Sequence, residues 1–207
     1  MFQQFSPNML KTYELCPKKF YLKYIKGINM PVNDDMFEFG KNIHALASYY
    51  LRGENIENME ESLSPKQKLV WEYLRCVKYF GYEVVNTEYN LSVKIDNHFF
   101  GGRLDALVKH DDRYYILDYK TGSVPKNAKY DFQTIIYILA VKEFFKTEKV
   151  TFVYIDLKNR EDVKIEYSDE LEKEYKKKLL AVVENIEHSE EPTKKNDCNC
   201  EYSLICY

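Results

Sequence analysis

Two short apolar runs around a polar pair predict a β-hairpin in the middle of the chain. The runs occupy residues 106–108 and 115–117, and a turn is expected at the two aspartates between them, 111–112. Residues 84–95 and 98–109 alternate between apolar and polar positions around a further polar pair, which predicts strands there as well. The pattern therefore predicts an antiparallel meander.

Helical periodicity flanks this meander on both sides. Serine–proline pairs at 6–7 and 64–65 are typical of helix starts, because serine caps the helix and proline fits its first turn. An apolar stripe predicts a helix over 131–145, and a charged amphipathic pattern predicts a longer one over 168–188. The acidic, polar stretch 53–63 is predicted to be a loop.

A strand predicted over 150–157, directly after the helix 131–145, gives an α/β fold with a mixed sheet. The length of 207 residues suits a single domain. Within it, 1–83 is predicted to be mainly helical, and 84–167 to form the sheet core with the catalytic motifs. Residues 168–207 are predicted to supply a C-terminal helix and a cysteine-rich tail.

Composition predicts a folded protein that does not enter a membrane, with 45% hydrophobic and 30% charged residues. No apolar run approaches the about 20 residues that a membrane span requires. The N-terminus lacks the basic and apolar regions of a secretory signal. We therefore expect a cytoplasmic protein without a membrane partner.

The formal net charge of −3 argues against a protein that coats nucleic acid non-specifically. The first 28 residues nevertheless carry five lysines against one glutamate, interleaved with aromatic residues. This mixture suits a single DNA strand, whose phosphates attract cations and whose bases stack on rings. An amphipathic helix with a solvated lysine face explains the same segment equally well.

Three charged residues in the predicted hairpin form a candidate metal centre. Asp118 and Lys120 are two positions apart on one strand, so their side chains share a face, which Asp105 reaches from the neighbouring strand. Converging carboxylates repel each other unless a cation lies between them, and their oxygens suit Mg²⁺ or Mn²⁺. Lys120 adds a fixed positive charge for a phosphate. Ordinary exposed ion pairs are the alternative, which the surrounding apolar residues make less favourable.

Other candidates rest on position alone. His44 lies on a predicted helix, where a solitary histidine is more often packed than metal-bound. Glu88 lies in the first predicted strand, as a supporting carboxylate or as an exposed strand residue. Gln133 and Tyr137 are neighbours on one face of the helix 131–145, where they contact a substrate backbone or form plain helix surface.

Three of the five cysteines, Cys198, Cys200 and Cys206, lie within nine residues near the C-terminus. Bunched thiols in an intracellular protein indicate a metal or an iron–sulfur cluster, which as a rule takes four thiolates. Cys16, at a proline-marked helix break, is the natural fourth ligand, whereas Cys76 is predicted to be buried in a helix. A Zn²⁺ ion at the same residues and reduced thiols in a loose tail are the alternatives.

The motifs GGRLDAL and ILDYKTG, preceded by FGKNIHAL and followed by Gln133 and Tyr137, resemble the PD-(D/E)XK nuclease superfamily in its RecB-like branch. The N-terminal SPNMLKTYELCPKKFYLKY is similar to the opening segment of that branch. The cysteines resemble those of the iron–sulfur exonucleases of CRISPR spacer acquisition and of AddB-type nuclease domains, although the tail spacing is C-x-C-x5-C instead of C-x2-C-x5-C. The resemblance implies a restriction-endonuclease-like α/β fold, a mixed central sheet flanked by helices.

The resemblance also implies a role for each candidate residue. The implied metal ligands are His44, Asp105, Asp118 and the backbone carbonyl of Tyr119. Lys120 is the implied catalytic lysine, and Gln133 and Tyr137 are implied to hold the DNA. The implied ligands of a [4Fe–4S] cluster are Cys16, Cys198, Cys200 and Cys206.

We therefore expect a metal-dependent deoxyribonuclease that hydrolyses phosphodiester bonds, with single-stranded DNA ends as its substrate. Its expected partners are DNA and, in a repair, phage or CRISPR-adaptation complex, other proteins. A DNA-end-binding adaptor subunit with little or no cleavage is the alternative, against which the complete set of charged residues argues. A sugar hydrolase that uses Asp105 and Asp118 as acid and base leaves Lys120 without a role.

Overall fold

A five-stranded sheet organises the fold, with its strands side by side in chain order. The structure, a computed structural model, describes residues 2–31, 35–188, 190–194 and 200–206, and only the backbone of 35–37. The strands are β1 Glu83–Ile95, β2 His98–His110, β3 Arg113–Lys120, β4 Val150–Asp156 and β5 Glu161–Glu166. Neighbouring strands are antiparallel except β3 and β4, which are parallel. The predicted α/β fold with a mixed sheet is confirmed.

Seven α-helices in the described part of the chain surround the sheet. They are α1 Pro7–Leu15, α2 Pro17–Phe20, α3 Asp35–Leu51, α4 Glu57–Ser62, α5 Pro65–Leu74, α6 Phe132–Phe145 and α7 Asp169–His188. As the sequence predicts, serines cap α1 and α5: Ser6 accepts from the Met9 amide at 3.3 Å, and Ser64 forms a capping box with Gln67. None of these helices, over the residues described, is both long and apolar enough to cross a membrane.

Two sequence predictions about the helical part are wrong. Residues 57–62 form α4 instead of a loop, because Ile56 and Met59 pack against the apolar cluster beneath α3 and α5. Helix α5 ends at Leu74, so Cys76 lies in the turn that follows. This cysteine is therefore exposed instead of buried.

Two apolar clusters hold the sheet between layers of helices. On one face lie α1, α6 and α7, and α6 is so enclosed that residues 134–141 are all buried. On the other face, α3 and α5 pack on Leu117 and Tyr119 of β3. Because side chains alternate along a strand, Asp118 points to the opposite layer, toward α6. The sheet thus separates the neighbours of the Asp118 side chain from those of the Tyr119 ring.

The C-terminal tail lies against the N-terminal helices. The ammonium group of the buried Lys18 lies 2.8 Å from Glu191 Oε1. The Tyr202 hydroxyl donates to the carbonyl of Ile28 at 2.8 Å, which fixes the tail beside the segment that follows α2.

Candidate metal centre

A fork between β2 and β3 creates the site. The pairing of the two strands stops at Ala106 and Leu117. Beyond that point, the Tyr119 amide donates to the side-chain oxygen Oδ2 of Asp105 at 2.9 Å. The ring of Tyr119 stays in the core beneath α3. The strands therefore separate at the residues whose carboxylates the sequence predicts to converge.

Helix α3 delivers His44 to this fork. Its Nδ1 lies 3.2 Å from Asp105 Oδ1, and its Nε2 lies 2.9 Å from the carbonyl oxygen of Tyr119. Both ring nitrogens thus face acceptor oxygens, an arrangement that favours the positively charged imidazolium. Burial opposes that charge, but the hydrogen bond with Asp105 and the negative charges of Asp105 and Asp118 outweigh it and raise the pKa of His44. His44, Asp105 and the Tyr119 carbonyl thus meet in the structure.

Asp118 and Lys120 face α6 from the end of β3. Asp118 is buried, with 4% of the residue exposed. Gln133 of α6 donates from Nε2 to Asp118 Oδ1 at 2.7 Å, and its Oε1 accepts from Lys120 Nζ at 3.0 Å. Lys120 Nζ also forms an ion pair with Asp118 Oδ2 at 2.7 Å. Gln133 therefore bridges the two residues of the predicted catalytic pair.

The electrostatics of the site fit a divalent cation. Burial, and after it the negative charge of Asp105, raise the pKa of Asp118 to about 6, although Lys120 and His44 partly offset them. A buried carboxylate whose pKa is raised by burial and by a neighbouring carboxylate is stabilised in its charged form by a further cation. The available donors are carboxylates, one imidazole and one backbone carbonyl, a mainly oxygen set that suits Mg²⁺ or Mn²⁺.

Glu88 of β1 joins the cluster from the far side. It interrupts the ladder between β1 and β2 opposite Asp105, and its φ of 50° is left-handed, which is uncommon for glutamate. His44, Glu88 and Asp105 each offer one ligand atom, and these three atoms lie within 4.8 Å of one another, so the side chains can hold one ion. Arg103 Nε lies 2.8 Å from Glu88 Oε2. Glu88 is thus placed as a potential ligand, closer to the centre than the supporting position predicted from sequence.

A cavity of about 620 Å³ opens onto these potential ligands. Three basic side chains also line it: Lys41, Arg52 and Arg103. Arg52 Nη1 donates to Ser48 Oγ at 2.7 Å and to Thr87 Oγ1 at 3.1 Å, which fixes the guanidinium at the wall. Basic groups beside an ion site suit a phosphate. Sequence reasoning missed Arg52, although His44, Ser48 and Arg52 recur every four residues, a spacing that signals one helix face.

The two residues predicted to hold DNA are engaged inside the protein. Gln133 Oε1 also accepts from Lys11 Nζ at 3.3 Å, in addition to its contacts with the catalytic pair. Tyr137 is 4% exposed and donates to the Arg103 carbonyl at 3.0 Å. It packs on Gly102, where a Cβ atom would come within 2.8 Å of the tyrosine hydroxyl. Both side chains position the site in this arrangement, and their contact with DNA stays a prediction.

The basic N-terminal segment is largely engaged in ion pairs. Lys11 lies 2.9 Å from Asp131 Oδ1, and Lys19 lies 3.0 Å from Glu201 Oε1. With the buried pair of Lys18, three of the five lysines connect this segment to α6 and to the tail. These charges act within the fold, and the binding of a single DNA strand by the segment stays a prediction.

The cysteines predicted to bind a cluster are only partly described. Cys16 is buried at the start of α2, where its sulfur accepts from a backbone amide at 3.4 Å. Cys206 is buried beside Leu22, and Cys200 packs against the same small cluster. Cys198 lies outside the described residues. Cys200 and Cys206 therefore approach the N-terminal segment, but no three cysteines of the described ranges lie close enough to hold an ion.

Comparison with known proteins identifies a nuclease family, whose members suit a candidate metal centre of this kind. The model of the PD-(D/E)XK nuclease superfamily matches residues 4–207. The chain is 24% identical over 206 residues to the CRISPR-associated exonuclease Cas4 of Francisella tularensis subsp. novicida (strain U112), covering 96% of this chain and 91% of the relative. It is similar in structure to a candidate exonuclease from Eubacterium rectale, with a TM-score of 0.60, 13% identity, and coverage of 96% of this chain and 86% of that chain. This structural likeness concerns the fold alone.

Proposed function

The chain belongs to the PD-(D/E)XK nuclease superfamily and is a metal-dependent deoxyribonuclease, and from this premise we propose that it removes nucleotides from single-stranded DNA ends. The observation that carries the site assignment is the fork, where His44, Asp105 and the Tyr119 carbonyl meet. Asp118 and Lys120 lie at the same end of β3. This arrangement offers oxygen ligands for a cation and a separate ammonium for a phosphate.

The residues at the fork would hold one or two Mg²⁺ or Mn²⁺ ions. Their donors are the side chains of His44, Glu88 and Asp105 and the backbone carbonyl of Tyr119, to which Asp118 adds a buried carboxylate from the end of β3. When bound, a divalent ion neutralises the carboxylates and polarises the phosphate. To act as a ligand, His44 gives up one ring proton and its hydrogen bond to the Tyr119 carbonyl. Both members of that bond thereby become available as donors to the same centre.

Lys120 supplies the protein's own positive charge to the reaction. Its ammonium lies beside Asp118 and stabilises the negative charge that develops on the phosphate oxygens. Gln133 keeps Lys120 and Asp118 together through one amide group, which fixes the distance between ammonium and carboxylate. Arg52 and Arg103 approach from the cavity wall and neutralise the phosphate on its other side.

The relative from Francisella, which is named as a CRISPR-associated exonuclease, supports action on DNA ends. We extend that activity to this chain, together with protein partners in a CRISPR-adaptation, repair or phage complex. Linear and circular single strands of the same sequence should be incubated with Mg²⁺ or Mn²⁺. Rapid release of nucleotides from the linear strand and a far slower attack on the circle are expected, whereas equal rates would contradict exonuclease action.

Matched substitutions connect this activity to the fork. Asp118→Asn should abolish metal-dependent release, because the buried carboxylate becomes neutral. Asp112→Asn makes the same chemical change in the exposed turn between β2 and β3 and should behave as wild type. Activity retained by Asp118→Asn, with DNA binding and cleavage intact, would place the chemistry elsewhere. DNA binding without any cleavage by the wild type would favour the adaptor role.

We also propose that Cys16, Cys198, Cys200 and Cys206 hold a [4Fe–4S] cluster that attaches the tail to α2. The burial of Cys16 and Cys206 and the packing of Cys200 beside Leu22 support this proposal. Protein purified without oxygen should be brown, with absorbance near about 400 nm. Cys206→Ser should lose the colour, whereas the exposed Cys76→Ser should keep it. Colourless protein with one equivalent of zinc would assign Zn²⁺ to these residues instead.

A further inference from the structure

A second cavity adjoins the cavity at the metal centre. It has a volume of about 660 Å³ and shares Gly40 and Thr121 of its wall with the cavity at the metal centre. We call it the basic groove, because Lys66, Lys158 and Arg160 line it. The carbonyl of Lys120 accepts from the amide of Leu157 in its wall at 3.0 Å. The groove is therefore connected to the end of the catalytic strand by one backbone hydrogen bond.

The charge of the groove differs from that of the rest of the protein. All three basic side chains are exposed, and none of the described residues that line the groove is acidic. The chain as a whole carries a formal charge of −3. The cavity at the metal centre, by contrast, combines its basic residues with Glu88 and Asp105. A wall of one sign, in a protein of the opposite net charge, attracts an extended anion.

The elements that present these cations are firmly built. Asp156 at the end of β4 accepts from the amides of Lys158 at 3.0 Å and Asn159 at 2.9 Å, and its carbonyl accepts from the Arg160 amide at 2.8 Å. Asp156 is itself buried, so the turn has a fixed base. Lys66 lies in the first turn of α5, which the serine capping box fixes. The backbone positions that carry the three cations are therefore fixed, which suits the binding of a repeating phosphate backbone.

The wall shared by the two cavities depends on a close approach. A Cβ atom on Gly40 of α3 would come within 3.0 Å of Thr121 Oγ1. Glycine thus lets α3 lie against the loop that follows β3. Beside it, the half-buried Phe39 and Leu69, which is 58% exposed, give the groove an apolar surface between its cations. Charged and apolar groups in one channel suit an unpaired strand, because its bases and its phosphates are both accessible.

We propose that the basic groove binds the sugar–phosphate backbone of the DNA strand next to the scissile phosphate. Lys66, Lys158 and Arg160 contact successive phosphates, and Phe39 and Leu69 contact a base. The strand passes over Gly40 and Thr121 into the metal centre. This inference rests on the proposed nuclease function and names the path of its substrate. It places specific DNA contacts on α5 and on the turn between β4 and β5, away from the N-terminal lysines.

The test compares two triple variants of equal charge. Lys66→Ala/Lys158→Ala/Arg160→Ala removes the cations of the groove. Lys109→Ala/Arg113→Ala/Lys149→Ala removes two lysines and one arginine at the opposite end of β3, which is roughly 23 Å from Lys120 for a strand of this length. Binding of a labelled single strand is measured by fluorescence anisotropy in EDTA, so that no cleavage occurs, at salt concentrations between about 50 and 200 mM.

Each phosphate contact contributes about 0.7 to the slope of log K against log salt for a single strand. The groove variant should therefore lose about 2 from that slope if it loses three contacts. The control variant should keep the wild-type slope. A groove variant that is folded by circular dichroism and has an unchanged slope would overturn the proposal. If the triple variant is unfolded, Lys158→Ala/Arg160→Ala alone should lose about two thirds of the effect.

Cleavage separates this proposal from the one on which it rests. In the presence of Mn²⁺, the groove variant should have a higher KM for a long strand than the wild type, because contacts to remote phosphates are lost. If the wild type cuts DNA and both triple variants match it in slope and in KM, the groove proposal fails and the nuclease function stands. If the wild type releases no nucleotides, the nuclease function fails, and the anisotropy slopes still decide whether the groove binds DNA.

Discussion

Substitution of Gln133 distinguishes between two roles for this residue, one in holding DNA and one in positioning Asp118 and Lys120. Sequence resemblance implies that it holds DNA, whereas in the structure it bridges Asp118 and Lys120. Gln133→Leu removes the amide and keeps a side chain of similar size. If Gln133 is a positioning residue, this change should lower kcat, because the carboxylate that would hold the cation and the ammonium that faces the phosphate lose their fixed positions. If it only holds DNA, the change should raise KM.

The magnitude follows from the two bonds that are lost. The Gln133 amide donates to Asp118 at 2.7 Å and accepts from Lys120 at 3.0 Å, and both partners are ionisable. Hydrogen bonds to charged groups contribute about 1.5–3 kcal/mol each. Loss of one such contribution in the transition state corresponds to a decrease of about ten- to hundredfold in kcat. The other oxygen of Asp118 keeps its ion pair with Lys120 Nζ at 2.7 Å, which limits the expected loss to about one such contribution.

The pH profile supplies a readout that a purely structural role would not change. Burial and the charge of Asp105 already raise the pKa of Asp118 to about 6. The Gln133 amide donates to the carboxylate form, so its removal should raise that pKa further. Since the carboxylate is the form that binds a cation, the acid limb of the activity profile should move to higher pH.

The assay is steady-state release of nucleotides from a linear single strand, measured across the acid limb. Lys11→Ala is the matched control, because Lys11 contacts the same oxygen of Gln133 at 3.3 Å but does not touch Asp118. Its kcat and acid limb should remain close to those of the wild type. A Gln133→Leu protein with normal kcat, an unshifted acid limb and a raised KM would refute the positioning role and assign Gln133 to DNA.

Three further predictions test the site and the fold. Lys120→Met should lower single-turnover cleavage by about 10²–10³-fold, because no charge is left to replace it beside the phosphate, and an unchanged rate would remove lysine from the mechanism. Gly102→Ala should cost about 1–3 kcal/mol in urea unfolding, because its Cβ would lie 2.8 Å from a tyrosine hydroxyl, whereas Gly122→Ala, with no atom within 4 Å, should cost little. Burial raises the pKa of Glu172, but hydrogen bonds from two lysines and a tyrosine outweigh this effect and lower the pKa to about 2. Its contribution to the free energy of unfolding, about 1 kcal/mol, is therefore present above its ordinary pKa and is lost as the pH falls from about 4.5 toward 2. The difference in the free energy of unfolding between wild type and Glu172→Gln should vanish over that pH range.

The fold was predictable because its signals are local. Alternating residues, polar pairs at turns and serine caps each act over a few positions, and they place the meander and the helices α1, α5 and α6. Helix α4 was not predictable in this way, because its stability comes from Ile56 and Met59 packing on distant elements. The error at Cys76 has a similar origin: periodicity continues beyond Leu74, but the chain turns there.

The site was predictable to a lesser degree. The spacing of Asp118 and Lys120 follows from strand geometry alone. The meeting of His44 with Tyr119 does not, since it joins a helix to a backbone carbonyl 75 residues later, and only the resemblance pointed to it. Glu88 depends on a left-handed backbone that periodicity cannot reveal, because an alternating pattern assumes a regular strand. The basic groove combines α5 with the turn between β4 and β5, and no sequence spacing connects them.

The separation of β2 from β3 explains why the candidate ligands gather at this point. Where two strands part, their buried amides and carbonyls lose partners and must find others. At Tyr119, Asp105 accepts from the amide and His44 binds the carbonyl, so the same groups satisfy the backbone and surround the centre. Opposite Asp105, the left-handed Glu88 leaves the ladder and turns its carboxylate to the same place. A chain with these residues in an unbroken hairpin would pair its backbone fully, and its carboxylates would have no common opening in which to bind a cation.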